Sequence, residues 1–570
     1  MSFPVLTVED LNVSFKTSKG VVKANEGVSL EVREGEILGL IGETGCGKTT
    51  FGKAILRLLS GKVKLEGKIV YRGTDILALP EKEMRRFRGK EIGIMLQNPS
   101  ACLNPVLSAG RQIAEIYRYH EGMGKKEAEK KAGEMLELVG ISSLRKDDYP
   151  HQFSGGMLQR VMVAIGLALR PGLLIADEPT KGLDTDTKLQ IAELIVGLVR
   201  KENASMLLVT HDLELAGRLA DRIAVMYAGE IVEIGKAEEV ISNPGHPYTC
   251  DLLHSLPGKG LKAVSGQIPS LVSPPSGCRY HPRCSCRFEA CLQVRPELLK
   301  NEGGRFIRCL LSGKEWKTEN TADSPIREQP AFSCTEEDMA LLKVENLRKY
   351  YYSGLFKKEV HRAVDGVSFE VEKGETLGLV GRSGCGKSTL GRTVLRLLEP
   401  TSGRVLFDEQ DISGFKGSSL KSLGTRMQII FQNPESCLNP RMKVYDAVAE
   451  PLRLHRICER SEERGRVREL IEAVSLSEEL LFRYPRELSG GQLQRVAIAR
   501  VLGMNPEFIV ADEPTSMLDP LVQAQILSLL KNLQTEYGIS FLFISHDMQV
   551  IEWMSDRIAF MEEGKIVGFR

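Results

Sequence analysis

At 570 residues the chain is too long for one hydrophobic core, and several domains are expected. Its 42% hydrophobic and 26% charged residues are the balance of ordinary soluble globular proteins. A formal net charge of +1 argues against a general electrostatic grip on nucleic acid, while leaving room for a local basic patch.

The first residues, MSFPVLTVEDLNVSF, lack the basic start and long apolar run of a secretory leader. No stretch reads as a membrane span. The apolar run Val161–Leu169 is cut off by Arg170-Pro171-Gly172, well short of the ~18 residues a span needs. Any work at a membrane is therefore expected to go through partners.

Short apolar runs, EILGLIG, LLIAD and SMLLVT, read as buried strands with helical patterns between them. This predicts an α/β fold with a parallel sheet, whose ligands bind where the strands end. The first run leads into GETGCGKT, Gly42–Thr49, which fits G-x-x-x-x-G-K-[ST]. Gly42, Gly45 and Gly47 let backbone N–H groups turn inward around phosphate oxygens, and the helix that follows adds its positive N-terminus. Lys48 is placed to reach the β- and γ-phosphates and Thr49, followed by Thr50, to ligate Mg²⁺. Further along, LLIADEP ends a strand in two carboxylates: Asp177 suits a metal-linked role, Glu178 the polarisation of an attacking water.

The whole pattern then repeats. LGLIGETGCGKTT recurs as LGLVGRSGCGKST, MLQNPSACLNP as IFQNPESCLNP, FSGGMLQR as LSGGQLQR, LLIADEPT as FIVADEPT and LLVTHD as LFISHD. The second copy thereby supplies Gly381, Gly384, Gly386, Lys387, Ser388 and Thr389 in its phosphate loop, with Asp512 and Glu513 as its acid pair. Two copies of one domain are expected in tandem: 1–256 and 339–570, with a Cys-rich tail at 257–313 and a polar, flexible linker at 314–338.

Of twelve cysteines, seven are scattered singly, which suits a reducing cytosol better than a disulfide scaffold. The rest fall in the tail. Cys278, Cys284, Cys291 and Cys309 are spaced C-x5-C-x6-C-x17-C, with Cys286 as an extra thiol. Four thiolates suit tetrahedral zinc or an iron–sulfur cluster; unmetallated thiols are the third reading.

A strand-ending acid pair preceded by S-G-G-[MQ]-x-Q-R resembles the ABC ATPases over both halves of the chain. That resemblance implies two ATPase domains pairing head to tail, each ATP lying between one phosphate loop and the other signature. It assigns Ser154, Gly155 and Gly156, and Ser489, Gly490 and Gly491, as signature donors to the γ-phosphate. Gln97 and Gln432 become the Q-loop residues, which with Thr49 and Ser388 surround Mg²⁺. Asp184 and Asp519 take the D-loop positions and His211 and His546 the switch positions, while Phe15 and Tyr351 are candidates to stack on adenine. The first signature departs from LSGGQ at Phe153 and Met157, but its serine and both glycines remain, so two competent sites are expected, with equal and unequal rates both left open.

NPGHPYTCDLLHSLP, Asn243–Pro257, and the PSGCRYHPRC that follows resemble the tail of ATPases serving peptide and nickel importers. The chain looks like a fusion of that branch's D-type and F-type subunits. The resemblance implies ATP, Mg²⁺ and a 4Fe–4S cluster on Cys278, Cys284, Cys291 and Cys309. It also implies two membrane permeases docking near 100–150 and 435–485, a solute-binding protein beyond them, no nucleic acid, and a place on the cytoplasmic face of the membrane. Dipeptides, longer peptides, glutathione-like compounds and nickel chelates all remain open as the solute. The alternative is a soluble tandem ABC ATPase acting on ribosomes. The position of the cysteines between the copies and the near-zero charge weigh against it.

Overall fold

The computed structural model describes residues 3–18, 20–264, 266, 268–311, 340–353 and 359–570; the linker expected at 314–338, with Cys334 in it, lies outside them. The described residues form two compact units, one built on the first copy up to His254 with the tail from Val264, the other on the second copy together with Ser255–Ala263.

In the first unit the strands Ile37–Ile41, Ser205–Thr210, Leu173–Asp177 and Ile92–Met95 lie side by side in parallel. The first three are buried at every position. Parallel strands covered on both faces have no solvent side to alternate toward, which is why they read as unbroken apolar runs. Arg222–Tyr227 pairs in parallel with the other edge of Ile37–Ile41, and antiparallel Glu230–Lys236 follows it. The tail then adds Phe306–Ile307 and Leu299–Lys300, so this sheet has eight strands. A second, four-stranded antiparallel sheet is made by Pro4–Thr17, Gly20–Arg33, Val63–Tyr71 and Thr74–Asp75.

The second unit repeats the plan. Its six-stranded sheet runs Met427–Ile430, Phe508–Asp512, Ser540–Ser545, Thr376–Val380, Arg557–Glu562, Lys565–Phe569. Leu342–Ser353, Glu359–Val371, Ser402–Phe407 and Gln410–Asp411 form its antiparallel sheet. Among the described residues no helix is long and apolar enough to cross a membrane.

This topology gathers distant motifs at one sheet edge. In each unit the loop-bearing strand and the acid-bearing strand flank the strand that ends just before the histidine. Their C-terminal ends therefore bring phosphate loop, acid pair and histidine together, as expected for ligand sites on parallel sheets.

Candidate functional site

Each phosphate loop leaves a buried strand and opens a helix, Lys48–Ile55 in the first copy and Lys387–Val394 in the second. Gly47 and Gly386 cap those helices in the left-handed region, at φ 109° and 108°. A Cβ on Gly47 would stand 2.4 Å from the Ala24 carbonyl oxygen, and one on Gly386 2.0 Å from that of Ala363. Only glycine fits either place. Lys48 Nζ donates to the carbonyls of Gly42 and Glu43 at 2.6 and 2.8 Å, and Lys387 Nζ to those of Gly381 and Arg382 at 2.6 and 2.9 Å. Both ammonium groups thus lie across the mouths of their loops.

Thr49 Oγ1 donates to Asp177 Oδ1 at 3.0 Å, and Ser388 Oγ to Asp512 Oδ1 at 2.8 Å. Burial pushes both aspartates upward from the usual carboxylate value, against the hydroxyl hydrogen bonds that oppose it. The other Asp177 oxygen, Oδ2, is buried with no hydrogen-bond partner. A hydroxyl beside an under-coordinated buried carboxylate is a hard-oxygen donor set, and it fits Mg²⁺. The ion would neutralise phosphate charge there.

Glu178 and Glu513 follow with φ of 50° and 47°, uncommon for a residue with a side chain. Their N–H groups donate to the carbonyls of Val209 and Ile544, which anchors this turn to the neighbouring strand. His211 Nδ1 lies 2.6 Å from Glu178 Oε2, and His546 Nδ1 3.2 Å from Glu513 Oε1. Gln432 Nε2 donates to Glu513 Oε2 at 2.9 Å and to Ser516 Oγ at 3.3 Å. Burial raises both glutamates, but the histidine contacts and the loop lysines outweigh it and hold both carboxyls below their usual value. Each is therefore ionised at neutral pH and able to accept a proton from an attacking water.

The second pair also sets a pH dependence. The Glu513 hydrogen bond raises His546, so its contribution to stability is fully present below pH 6.5 and fades as pH rises through the folded value. Glu513 is lowered, so its contribution is present above pH 4.5 and fades as pH falls below it. Denaturant unfolding should show the gap between wild type and His546→Gln widest from pH 4.5 to 6.5 and narrowing above. A gap that widens from pH 6.5 to 8.5 would contradict this.

The signatures open the helices Gly155–Leu167 and Gly490–Leu502. Ser489 and Gln492 form a reciprocal capping box; Ser154 caps its helix, but Met157 cannot return the second hydrogen bond. Instead Arg145 takes up both departures from the consensus. Its guanidinium lies over the Phe153 ring at 4.6 Å and within 3.3 Å of Met157 Sδ. Gly155, Gly156, Gly490 and Gly491 form the first turns. Asp184 caps the helix Thr185–Lys201 through Thr187 N at 3.1 Å, and Asp519 is buried. Gln97 is half-buried. Phe15 packs against the first unit's core, whereas Tyr351, at the matching place in Leu342–Ser353, is exposed with the Lys349 ammonium 5.3 Å from its ring.

In the tail, Cys278 and Cys284 are raised to about 11 and about 12 by burial, with the neighbouring thiols adding to it: Cys309 and Cys291 for the first, Cys286, Cys278 and Cys309 for the second. The thiols thus share one neighbourhood. Even so, among the described residues no group of three or more His, Cys, Asp or Glu is arranged to hold a metal ion. The geometry does not support the expected four-thiolate donor set. What the cysteine pattern did not announce is the role of the residues between: Arg283 Nη1 reaches Glu43 in the first phosphate loop at 2.8 Å. Nothing local in the sequence signals a pair so far apart along the chain.

The family described as ABC transporter matches residues 25–181 and 364–516, and that described as Oligopeptide/dipeptide transporter, C-terminal region, matches 232–291. The Oligopeptide transport ATP-binding protein OppD of Mycobacterium tuberculosis is 38% identical over 580 residues, covering 99% of this chain and 94% of that one. The Glutathione import ATP-binding protein GsiA of Salmonella typhimurium is 40% identical over 577 residues, covering 99% and 85%. A solved dimeric ATP-binding cassette bound to ADP and Pi is 32% identical over 40% of this chain and 97% of its own, with a TM-score of 0.37.

Proposed function

Because the chain belongs to the ABC transporter ATP-binding family, and is an ATPase with that family's domain present twice, we propose that it is the motor subunit of an importer. On this reading it couples ATP binding and hydrolysis to uptake of peptides or related small solutes. Two separate permeases carry the solute, which a binding protein delivers, and the chain sits peripherally on the cytoplasmic face of the membrane. The observation that carries this is the combination of two ABC transporter domains with a tail matching the oligopeptide/dipeptide transporter region. The relatives named OppD and GsiA span nearly the whole chain and support it. The ribosome-acting alternative draws no support from these matches.

Each site combines a phosphate loop, a carboxylate with a hydroxyl for Mg²⁺, and an ionised glutamate held by histidine. The two copies are expected to work as a pair, the SGG signatures and Asp184 and Asp519 contributing to turnover. Phe15 and Tyr351 are offered to adenine. Permeases are offered the helical parts containing Ala109–His120, Lys125–Leu138, Val444–His455 and Glu463–Ala473. Val106, Tyr119, Leu144, Leu454 and Phe482 are exposed in those regions. Affinity purification from detergent-solubilised cells should recover two integral membrane permeases. Recovery of ribosomes in their place would overturn the reading.

The 4Fe–4S reading of Cys278, Cys284, Cys291 and Cys309 rests on the family resemblance alone. Anaerobic purification followed by iron, sulfide and zinc analysis tests it. About four irons and four sulfides per chain support a cubane cluster; zinc alone or no metal makes the segment a structural clamp.

A further inference from the structure

Glu43 stands directly after Gly42 in the first phosphate loop, and its backbone and side chain are both engaged. Its N–H donates to Tyr248 Oη at 2.9 Å, its carboxylate accepts from Arg283 Nη1 at 2.8 and 3.0 Å, and its carbonyl accepts from Lys48 Nζ at 2.8 Å. Arg283 and Glu43 are 2% and 1% exposed. Both tail residues are themselves fixed. The Tyr280 carbonyl accepts from the N–H groups of Arg283 and Cys284, each at 3.0 Å. The Tyr280 ring packs against Tyr227 and Tyr248 at 5.1 and 5.4 Å, and its hydroxyl donates to Asp251. Arg279, on the other side, binds the Ala228 carbonyl, Glu26 and Glu230.

A buried ion pair is weak evidence for stability, because desolvation offsets the attraction. Its location matters more. An unneutralised carboxylate at this place in the loop would oppose a triphosphate, and a loose Glu43 carbonyl would leave Lys48 held by the Gly42 carbonyl alone. The second loop has Arg382 at the matching position, with its side chain exposed and its carbonyl accepting from Lys387.

We propose that Arg283 and Tyr248 are positioning residues for the first nucleotide loop. They hold Glu43 so that its carbonyl sets Lys48, and the order of the Cys-rich segment is felt at one ATP site and not at the other. This rests on the reading of the loop as an ATP site, and the test separates the two.

Binding of a fluorescent ATP analogue with Mg²⁺ is measured on the full chain in two backgrounds: Lys387→Ala, which leaves the first loop, and Lys48→Ala, which leaves the second. Arg283→Gln should weaken binding about tenfold in the first background and change it by less than about twofold in the second. Adding Glu43→Gln to Arg283→Gln should restore most of the first-loop affinity, since removing both charges is tolerated where removing one is not. That double variant also guards against simple misfolding. Equal loss in both backgrounds, no loss in the first, or no rescue would overturn the proposal. Absence of binding in Lys387→Ala alone would overturn the reading of the first loop itself.

Discussion

Glu178→Gln and Glu513→Gln are each expected to lower steady-state ATP turnover by about 10²-fold or more while leaving nucleotide affinity within about twofold of wild type. Glutamine keeps the size of the side chain and can still meet His211, or His546 and Gln432, but it cannot take a proton. The carboxylates it replaces are held ionised against their own burial, by contacts of 2.6 and 3.2 Å to the histidines. That is the state needed to orient and deprotonate a water. Because the two copies are read as acting together, a block in one should stall the other, so each single variant should fall far below half activity. Wild-type turnover in both singles would refute the assignment. Half activity in each would keep the glutamates as bases and remove the coupling.

Gly47→Ala and Gly386→Ala should each abolish nucleotide binding at the altered loop, a loss of about 10²-fold or more. The new methyl would meet a backbone carbonyl at 2.4 or 2.0 Å, not the movable end of a side chain. Ala24 and Ala363 stand at register shifts in Gly20–Arg33 and Glu359–Val371, but the residues on either side, Lys23 and Asn25, Arg362 and Val364, are paired to the neighbouring strand, so the carbonyls have little room to withdraw. The left-handed φ at both glycines adds its own strain. Far-UV circular dichroism should stay native, because the fault is confined to the loop. Unchanged affinity for the ATP analogue in either variant would contradict the geometry.

Most of this site is legible in the sequence because its chemistry is written in short segments. A buried strand, a glycine loop with its lysine and a strand-ending acid pair each fit within about ten residues, and the parallel sheet brings them together by topology alone. The duplication removes the ambiguity a single match would leave. Long-range features are not legible in this way. The Arg283–Glu43 pair joins residues 240 apart, and nothing in HPRC distinguishes an arginine that braces a phosphate loop from one beside a metal site. The same segment that pointed to four metal thiolates carries Arg283 to the first nucleotide loop, with Tyr280 packed against Tyr227 and Tyr248. With Met157 in place of glutamine the first signature loses half of its capping box, and Arg145, from outside the motif, packs on Phe153 and Met157 without replacing the lost hydrogen bond.

The central claim, that this chain is a two-site ATPase driving uptake, is tested most directly by reconstitution with its co-purified permeases and binding protein in proteoliposomes. Uptake of a labelled peptide panel is followed with ATP on the side of the chain. Uptake that requires ATP hydrolysis and disappears in Glu178→Gln/Glu513→Gln is the predicted result. Uptake of equal rate with wild type and the double variant would contradict it.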